Sequence, residues 1–304
     1  MPSSTKEVKR KIKSTNSTRQ ITKAMELVST SKMKKAVNQA VNLRAYGYLA
    51  FHILSKLSKK HSRLHKFFQK REVNSILMIF FTTDKGLCGG LNANLCKKMV
   101  GTLTKVEKDY PTAKIHFIAV GKKGAEFLRR IGKTVEMFFP AYSNSPKLSD
   151  VAAVSNVATK GFLNDEYDKV MVVYPDFVST LVQKPVAKTL LPFSMDTFKE
   201  MIEELGSKFT KVTKIEQEDF EYKLEPSTEY IIDNIVPQLA KSQLFQAVLE
   251  AAASEHSARM VAMQNANKAA KDLLDDLVLT YNQARQAAIT AEIAEIASAA
   301  TSQS

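Results

Sequence analysis

QLAKSQLFQAVLEAAASEHSARMVAMQNANKAAKDLLDDLVLTYNQARQAAITAEIAEIASAATSQS, residues 238–304, runs for sixty-seven positions without a proline or a glycine. At about 1.5 Å per residue, one helix over this stretch extends roughly 100 Å, several times the three or four turns of an ordinary globular helix. Such a helix cannot be buried in a single compact domain. Its apolar and small residues recur as Leu249, Ala252, His256, Met260, Met263, Ala266, Ala270, Leu273, Leu277, Tyr281, Ala284, Ala288 and Ala291. That is forty-two residues in twelve steps, the 3.5 period of a left-handed coiled coil. Alanine dominates the seam, so a partner helix is expected to approach closely.

A second stretch free of both residues, 3–46, lies at the other end of the chain. Ser4 and Glu7 are spaced as a capping box, in which each side chain satisfies an orphan amide of the first turn. Val8, Ile12, Ile21, Met25, Val28, Met33, Val37, Ala40 and Leu43 then follow at helical spacing. The spacing predicts a helix over Thr5–His61 that tolerates Gly47 at a cost of about 1 kcal/mol. Residues 59–72, KKHSRLHKFFQKRE, read as a basic connector.

Between the helices the pattern changes. Ile76–Thr83 is a continuous apolar run, as in a strand buried on both faces. Leu91–Lys108 reads as helix, Lys114–Val120 as strand, Lys122–Ile131 as helix, Thr134–Phe139 as strand, Leu148–Leu163 as helix and Lys169–Tyr174 as strand. Leu181–Leu191 adds a fifth strand, which Pro185 assigns to an edge. Met195–Leu205 reads as helix and Lys208–Glu225 as an extended return, before Pro226 and Ser227 start the last helix. Alternating strand and helix predict a doubly wound, Rossmann-like α/β domain. The expected divisions are 1–72, 73–226 and 227–304. The first helix enters this domain at its C-terminal end and the last leaves it at its N-terminal end. The two therefore run antiparallel wherever they pair.

Composition narrows the class. Hydrophobic content is 44%, too high for general disorder, and no apolar run reaches the roughly 20 residues of a membrane span. No apolar segment follows the N-terminal charges, so no secretory signal is expected. Two cysteines, Cys88 and Cys96, make neither a disulfide framework nor a metal site. A soluble, intracellular chain is expected. Net charge is +13, and residues 1–35 alone hold ten lysines and arginines against Glu7 and Glu26. Such a face suits nucleic acid, an acidic protein partner or plain solvation, and charge alone does not choose. Neither interleaved aromatics nor a reading motif supports nucleic acid.

Candidate chemistry is sparse. The loop Thr82–Asn92, TTDKGLCGGLN, places three glycines between a strand and a helix, as in a phosphate-binding turn. Its spacing fits neither GxGxxG nor the Walker pattern. We read it as a tight packing turn in a fold without its ligand, with a nucleotide-binding protein bearing coiled-coil arms as the alternative. Ser254-Glu255-His256 holds hydroxyl, carboxylate and imidazole, but neighbours on a helix point apart, whereas a triad converges. Glu255 and Arg259 are expected as an exposed i,i+4 pair. His52, His61, His65 and His116 lack ligand spacing. No catalytic centre, cofactor or metal is expected. Ile289, Ile293 and Ile296 share one helix edge beside Glu292 and Glu295, with Arg285, Gln286 and Thr290 on the same turns. That edge is either an ordinary amphipathic face or a tip made for a socket.

Both ends resemble the gamma subunit family of the rotary ATP synthase. The likeness is carried by Lys9-Arg10-Lys11-Ile12-Lys13-Ser14, Thr18–Val28 and Ser31-Lys32-Met33, then Asp84 with Gly86–Asn92. It resumes in Ser254-Glu255-His256, Ala258-Arg259-Met260, Ala262-Met263, Tyr281-Asn282, Arg285-Gln286-Ala287, and Ile289-Thr290 with Glu292 and Glu295. One departure is Ala299-Ala300, where the family's closing signature has Gly-Ala. The dithiol insertion of chloroplast relatives is missing. The resemblance implies a non-catalytic central shaft without cofactor, turned by proton or sodium flow. Its implied partners are the alpha and beta subunits of the hexamer, the epsilon subunit and the membrane rotor ring, without nucleic acid or direct membrane insertion. It implies a peripheral place on the cytoplasmic face of a bacterial cell membrane, or on the matrix side of the mitochondrial inner membrane. It also implies that Lys23 and Met25 lie near the acidic beta lever. Arg259, Arg285, Gln286, Thr290, Glu292 and Glu295 then belong to the catch and bearing contacts.

Overall fold

A computed structural model of the chain describes residues 5–61, 66–69, 71–193 and 228–302; their side chains are described except at 44–61, 228–229, 231–232 and 299–302. The expected helix Met195–Leu205, the extended return Lys208–Glu225, the start at Pro226–Ser227 and His65 lie outside these residues. In chain order the elements are α1 (Thr5–His61), a 3-10 turn (Lys66–Phe68), β1 (Ser75–Phe81), α2 (Leu91–Asp109), β2 (Lys114–Val120), α3 (Lys122–Arg130), β3 (Met137–Phe139), α4 (Ala152–Leu163), β4 (Lys169–Phe177), β5 (Gln183–Leu191) and α5 (Thr228–Ser302). The chain divides into two compact units, Thr30–Ala258 and the pair Met1–Ser29 with Arg259–Ser304.

In the Thr30–Ala258 unit one sheet has the order β3-β2-β1-β4-β5. The first four strands are mutually parallel, and β5 runs antiparallel to β4 at an edge. Side chains alternate across β1. Leu77, Ile79 and Phe81 face a cluster built by α4, the 3-10 turn and the α5 residues Val236, Leu239, Leu244 and Val248. Ile76, Met78 and Phe80 face α2 and α3 through Leu95, Met99, Ala125 and Leu128. Helices thus cover both faces, which makes the sheet doubly wound and explains why β1 is apolar from Ile76 to Phe81.

Several boundaries moved. β3 holds only three residues, an edge strand paired on one side. α4 begins at Ala152 because Lys147–Val151 form a turn in which Asp150 accepts the Lys147 amide at 2.8 Å. β4 continues through Pro175, which faces Pro185 across the last ladder. The start of α5 did not move: the helix begins at Thr228, directly after the expected Pro226–Ser227, and Pro237 lies inside it. The basic connector is also an anchor: Phe67 is fully buried and stacks on Phe162 with centroids 5.9 Å apart.

Close helix approach is realised at Ala36 of α1 and Ala252 and Ala253 of α5, which pack together with Val37 and Phe177.

In the other unit, Asn267 of α5 donates from Nδ2 to the Arg19 carbonyl of α1 at 2.9 Å. Burial on α5 persists from there only as far as Ala284, about as far as Arg19 lies from the start of α1. The segments are therefore antiparallel. The buried stripe of α1 differs from the expected one. Val8, Thr22 and Ser29 are buried, whereas Ile21, Leu27 and Val28 are more than half exposed. On α5, Met263, Ala270 and Leu274 are buried, and Leu273 is exposed.

Candidate functional site

Ligands of doubly wound sheets sit beyond the carboxyl ends of the strands, where the strand order reverses. In this sheet that place lies beyond β1 and β4, and the loop Thr82–Asn92 leads into it. The loop closes the N-terminus of α3. Asp84 Oδ1 accepts the Lys122 amide at 2.9 Å, the Thr83 carbonyl accepts that of Lys123 at 3.0 Å, and Thr82 Oγ1 accepts that of Gly124 at 2.7 Å. These are the amides a phosphate would otherwise take at a helix N-terminus. Asp84 Oδ2 also accepts the Ala141 amide at 3.0 Å, and Asn92 donates to Thr83 Oγ1 at 2.8 Å.

Two glycines permit this closeness. Gly121 has φ +101°, and a Cβ there would lie 2.3 Å from the Thr82 carbonyl oxygen; at Gly124 it would lie 2.7 Å from Thr82 Oγ1. A cavity of about 10 Å³ lies beside the loop, between the ends of β1 and β2 and α5, walled by residues that include Phe81, Tyr142, Val248 and Glu255. Ligand pockets measure about 300–1,000 Å³, and this volume is roughly that of one water probe. Burial raises the Tyr142 hydroxyl pKa, with the Asp150 charge adding to it. The loop is tied to the start of α3 by its own carboxylate, carbonyl and hydroxyl.

The Ser254-Glu255-His256 run does not converge. Ser254 Oγ donates to the Pro175 carbonyl at 3.2 Å, while His256 Nε2 bonds the Ser143 carbonyl at 2.9 Å. Ser257 Oγ donates to Thr180 O at 2.6 Å. The hydroxyls and imidazole fasten α5 to the β4 end and to two loops. Glu255 and Arg259, expected as an exposed pair, are both buried, at 4% and 9% exposure. For Glu255 the reason is the neighbouring alanines Ala252 and Ala253, which seat this part of the helix deep in the fold.

The remaining candidates lie in the helical unit. Lys23 Nζ pairs with Glu26 at 3.1 Å, and Met25 is half-buried beside it. Arg285, Gln286, Thr290, Glu292 and Glu295 are all exposed on α5. Thr290 Oγ1 donates to the Gln286 carbonyl at 2.9 Å. Ile289, Ile293 and Ile296 are 47–64% exposed on the same turns. The helix continues through Ala299 and Ala300 to Ser302, as alanine in place of glycine allows. The structure thus groups five of the eight candidates on one exposed helix end, puts Lys23 and Met25 on α1, and buries Arg259. Two features escaped sequence reasoning. Asp84 is a helix cap, signalled only by its place just past a strand. Ile21, Leu27 and Val28 of α1 face outward.

A doubly wound α/β sheet with one long helix at each end of the chain defines a class of mixed α/β proteins with long terminal helices. Comparison with known proteins agrees. Residues 4–302 match the family described as ATP synthase. The ATP synthase gamma chain of Herpetosiphon aurantiacus is 39% identical, covering 98% of each chain. That of Cupriavidus pinatubonensis is 37% identical over 97% of this chain and 98% of the relative. The central stalk/c-ring structure of the Tetrahymena thermophila mitochondrial ATP synthase matches with TM-score 0.59 and 26% identity, covering 81% of this chain and 99% of that one. A Euglena gracilis mitochondrial ATP synthase chain shares the fold at TM-score 0.63 and 20% identity, over 98% of this chain and 94% of that one. The chain belongs to the ATP synthase gamma chain family, whose members are non-catalytic subunits of the central stalk.

Proposed function

We propose that this chain is the rotor shaft that couples proton or sodium flow through a membrane ring to conformational change in catalytic beta subunits. The observation that carries this reading is the outward apolar surface of the helical unit: Ile21, Leu27 and Val28 on α1 and Ile289, Ile293 and Ile296 on α5. Two paired helices have no use for such residues in water, and an enclosing protein has. Alpha and beta subunits are the enclosing partners. The epsilon subunit and the rotor ring meet the α/β domain, and the complex sits peripherally on the cytoplasmic face of the cell membrane. Among the described residues no helix is long and apolar enough to cross a membrane. In this reading the functional segments are 1–72, 73–226 and 227–304.

Lys23 and Met25 then face the acidic beta lever, and Arg259, Arg285, Gln286, Thr290, Glu292 and Glu295 form the catch and bearing. Rotation presents different faces to each beta subunit in turn and shifts its conformational population by differential contact. The test is Arg285→Ala in the assembled complex, with ATP hydrolysis and proton pumping measured together. Alanine preserves the helix, so the expected outcome is hydrolysis with weakened pumping. Unchanged coupling removes Arg285 from the catch.

A further inference from the structure

A concavity of about 730 Å³ opens between the outer face of α2 and strands β4 and β5. Gly101, in the middle of α2, forms part of its wall, with Met171, Pro185 and Ala187 opposite. Glycine inside a helix costs stability relative to alanine. Yet a Cβ at Gly101 would meet nothing within 4 Å. Among the described residues, no neighbour requires the missing methyl, so the opening serves what approaches from outside. The lining is strongly cationic: Lys97, Lys98, Lys105 and Lys169 stand against Asp109 alone. The Lys169 ammonium is held 5.0 Å over the Tyr110 ring and 3.4 Å from its hydroxyl, which fixes one charge at the groove wall.

Four cations around an open trough attract carboxylates and repel basic chains. Lys97, Lys98 and Lys105 are exposed on flexible stems. Small-molecule sites aim a few fixed polar groups, whereas three of the four lysines here are solvent-exposed. A polypeptide segment suits it better than a free anion. We propose that the groove between α2 and β5 receives an acidic segment of another subunit of the synthase. The segment's backbone passes over Gly101, and its carboxylates meet Lys98, Lys105 and Lys169. This inference rests on the chain being a synthase subunit.

The test places a photoreactive benzophenone side chain at Asn94, an exposed lining position, in the assembled complex and maps the adduct. The expected product is one adduct on a segment of another subunit bearing two or more Asp or Glu residues. Its yield falls roughly fivefold or more in Lys98→Glu/Lys105→Glu, as expected when a steering charge is reversed. Gly101→Leu also lowers the yield while the chain keeps its helical circular dichroism and melting temperature. Adducts confined to lipid, solvent or a basic segment overturn the groove assignment alone. So does saturable binding of ADP or inorganic phosphate that is lost in the double lysine variant. A chain that co-purifies with no synthase subunit overturns both the assignment and the rotor reading beneath it.

Discussion

The Asp84 carboxylate accepts the Lys122 amide at 2.9 Å, so the loop that leaves β1 caps the helix that follows β2. A second bond from the same carboxylate ties the Ala141 amide, so one side chain joins three segments at the mouth of the sheet. Asp84→Ala is expected to cost about 0.5–2 kcal/mol, the range for losing an N-cap acceptor. Asp84→Asn keeps one acceptor oxygen and is expected to cost less. Urea unfolding of the full chain measures both. Equal stability of the alanine variant and the parent would show that solvent satisfies α3 equally well.

Two glycines in helices should respond to alanine with opposite signs. At Gly124 a Cβ lies 2.7 Å from Thr82 Oγ1 and 3.0 Å from Phe80 Cδ1, inside a filled core. Gly124→Ala is expected to destabilise by about 1–3 kcal/mol through overpacking, outweighing alanine's better helix propensity. At Gly101 nothing lies within 4 Å, so Gly101→Ala is expected to stabilise by about 0.4–1 kcal/mol. Thermal unfolding of the two variants side by side decides. A common sign would mean that propensity or packing alone governs both sites.

Asn267 reaches across the helical unit to the Arg19 carbonyl at 2.9 Å, and Thr22 Oγ1 stands 3.5 Å from the same amide. With so few large side chains in the seam, this polar bridge carries register. Asn267→Ala is expected to cost about 0.5–1.5 kcal/mol, the net worth of one hydrogen bond. It should also speed amide exchange in Thr5–Ser29 more than in β1. Exchange rates that rise equally in both places would count against a register role.

The same seam shows where the sequence was legible and where it was not. The ends of α1 and of β2, and the strand–helix alternation, follow directly from uninterrupted apolar periodicity, and Pro185 marked the edge strand correctly. The inward face of α1 followed only in part: Val8 and Ala40 are buried as expected. Apolar spacing selected Ile21 and Val28, but Thr22 and Ser29 are buried instead. Thr22 Oγ1 satisfies itself on the Arg19 carbonyl at 3.0 Å, so burial leaves its hydroxyl partnered. Periodicity arguments assume that apolar means inside; they invert where a helix keeps its apolar side for another surface. The start of α5 was legible despite Pro237: Pro226 and Ser227 marked it, and the helix runs from Thr228 through the proline. That the Thr82–Asn92 loop fits neither GxGxxG nor the Walker pattern was legible from its glycine spacing. That Asp84 replaces the anion was not, since it depends on α3 arriving from elsewhere in the chain.

Asp165 offers a test of electrostatics at the far end of α4. Lys66 Nζ lies 2.7 Å from its Oδ2, and Arg71 pairs with its Oδ1. The Lys66 hydrogen bond is the largest effect and holds the carboxyl below its ordinary value against desolvation, the next largest, with the charges of Arg71 and Lys66 adding to the lowering. A carboxyl depressed on folding contributes stability that is fully present above its unfolded value. That contribution is lost as pH falls through the lower folded value. Asp165→Asn is therefore expected to be less stable than the parent at pH 7 by an amount that stays constant down to about pH 5, because the unfolded carboxyl titrates near 3.9. Below about pH 4 the two stabilities should converge. The pair is solvent-exposed, so raising salt should narrow the gap at neutral pH as well. Urea unfolding midpoints of parent and variant across this range give the answer; a difference that persists or widens at pH 3 would mean that Asp165 acts by packing and not by charge.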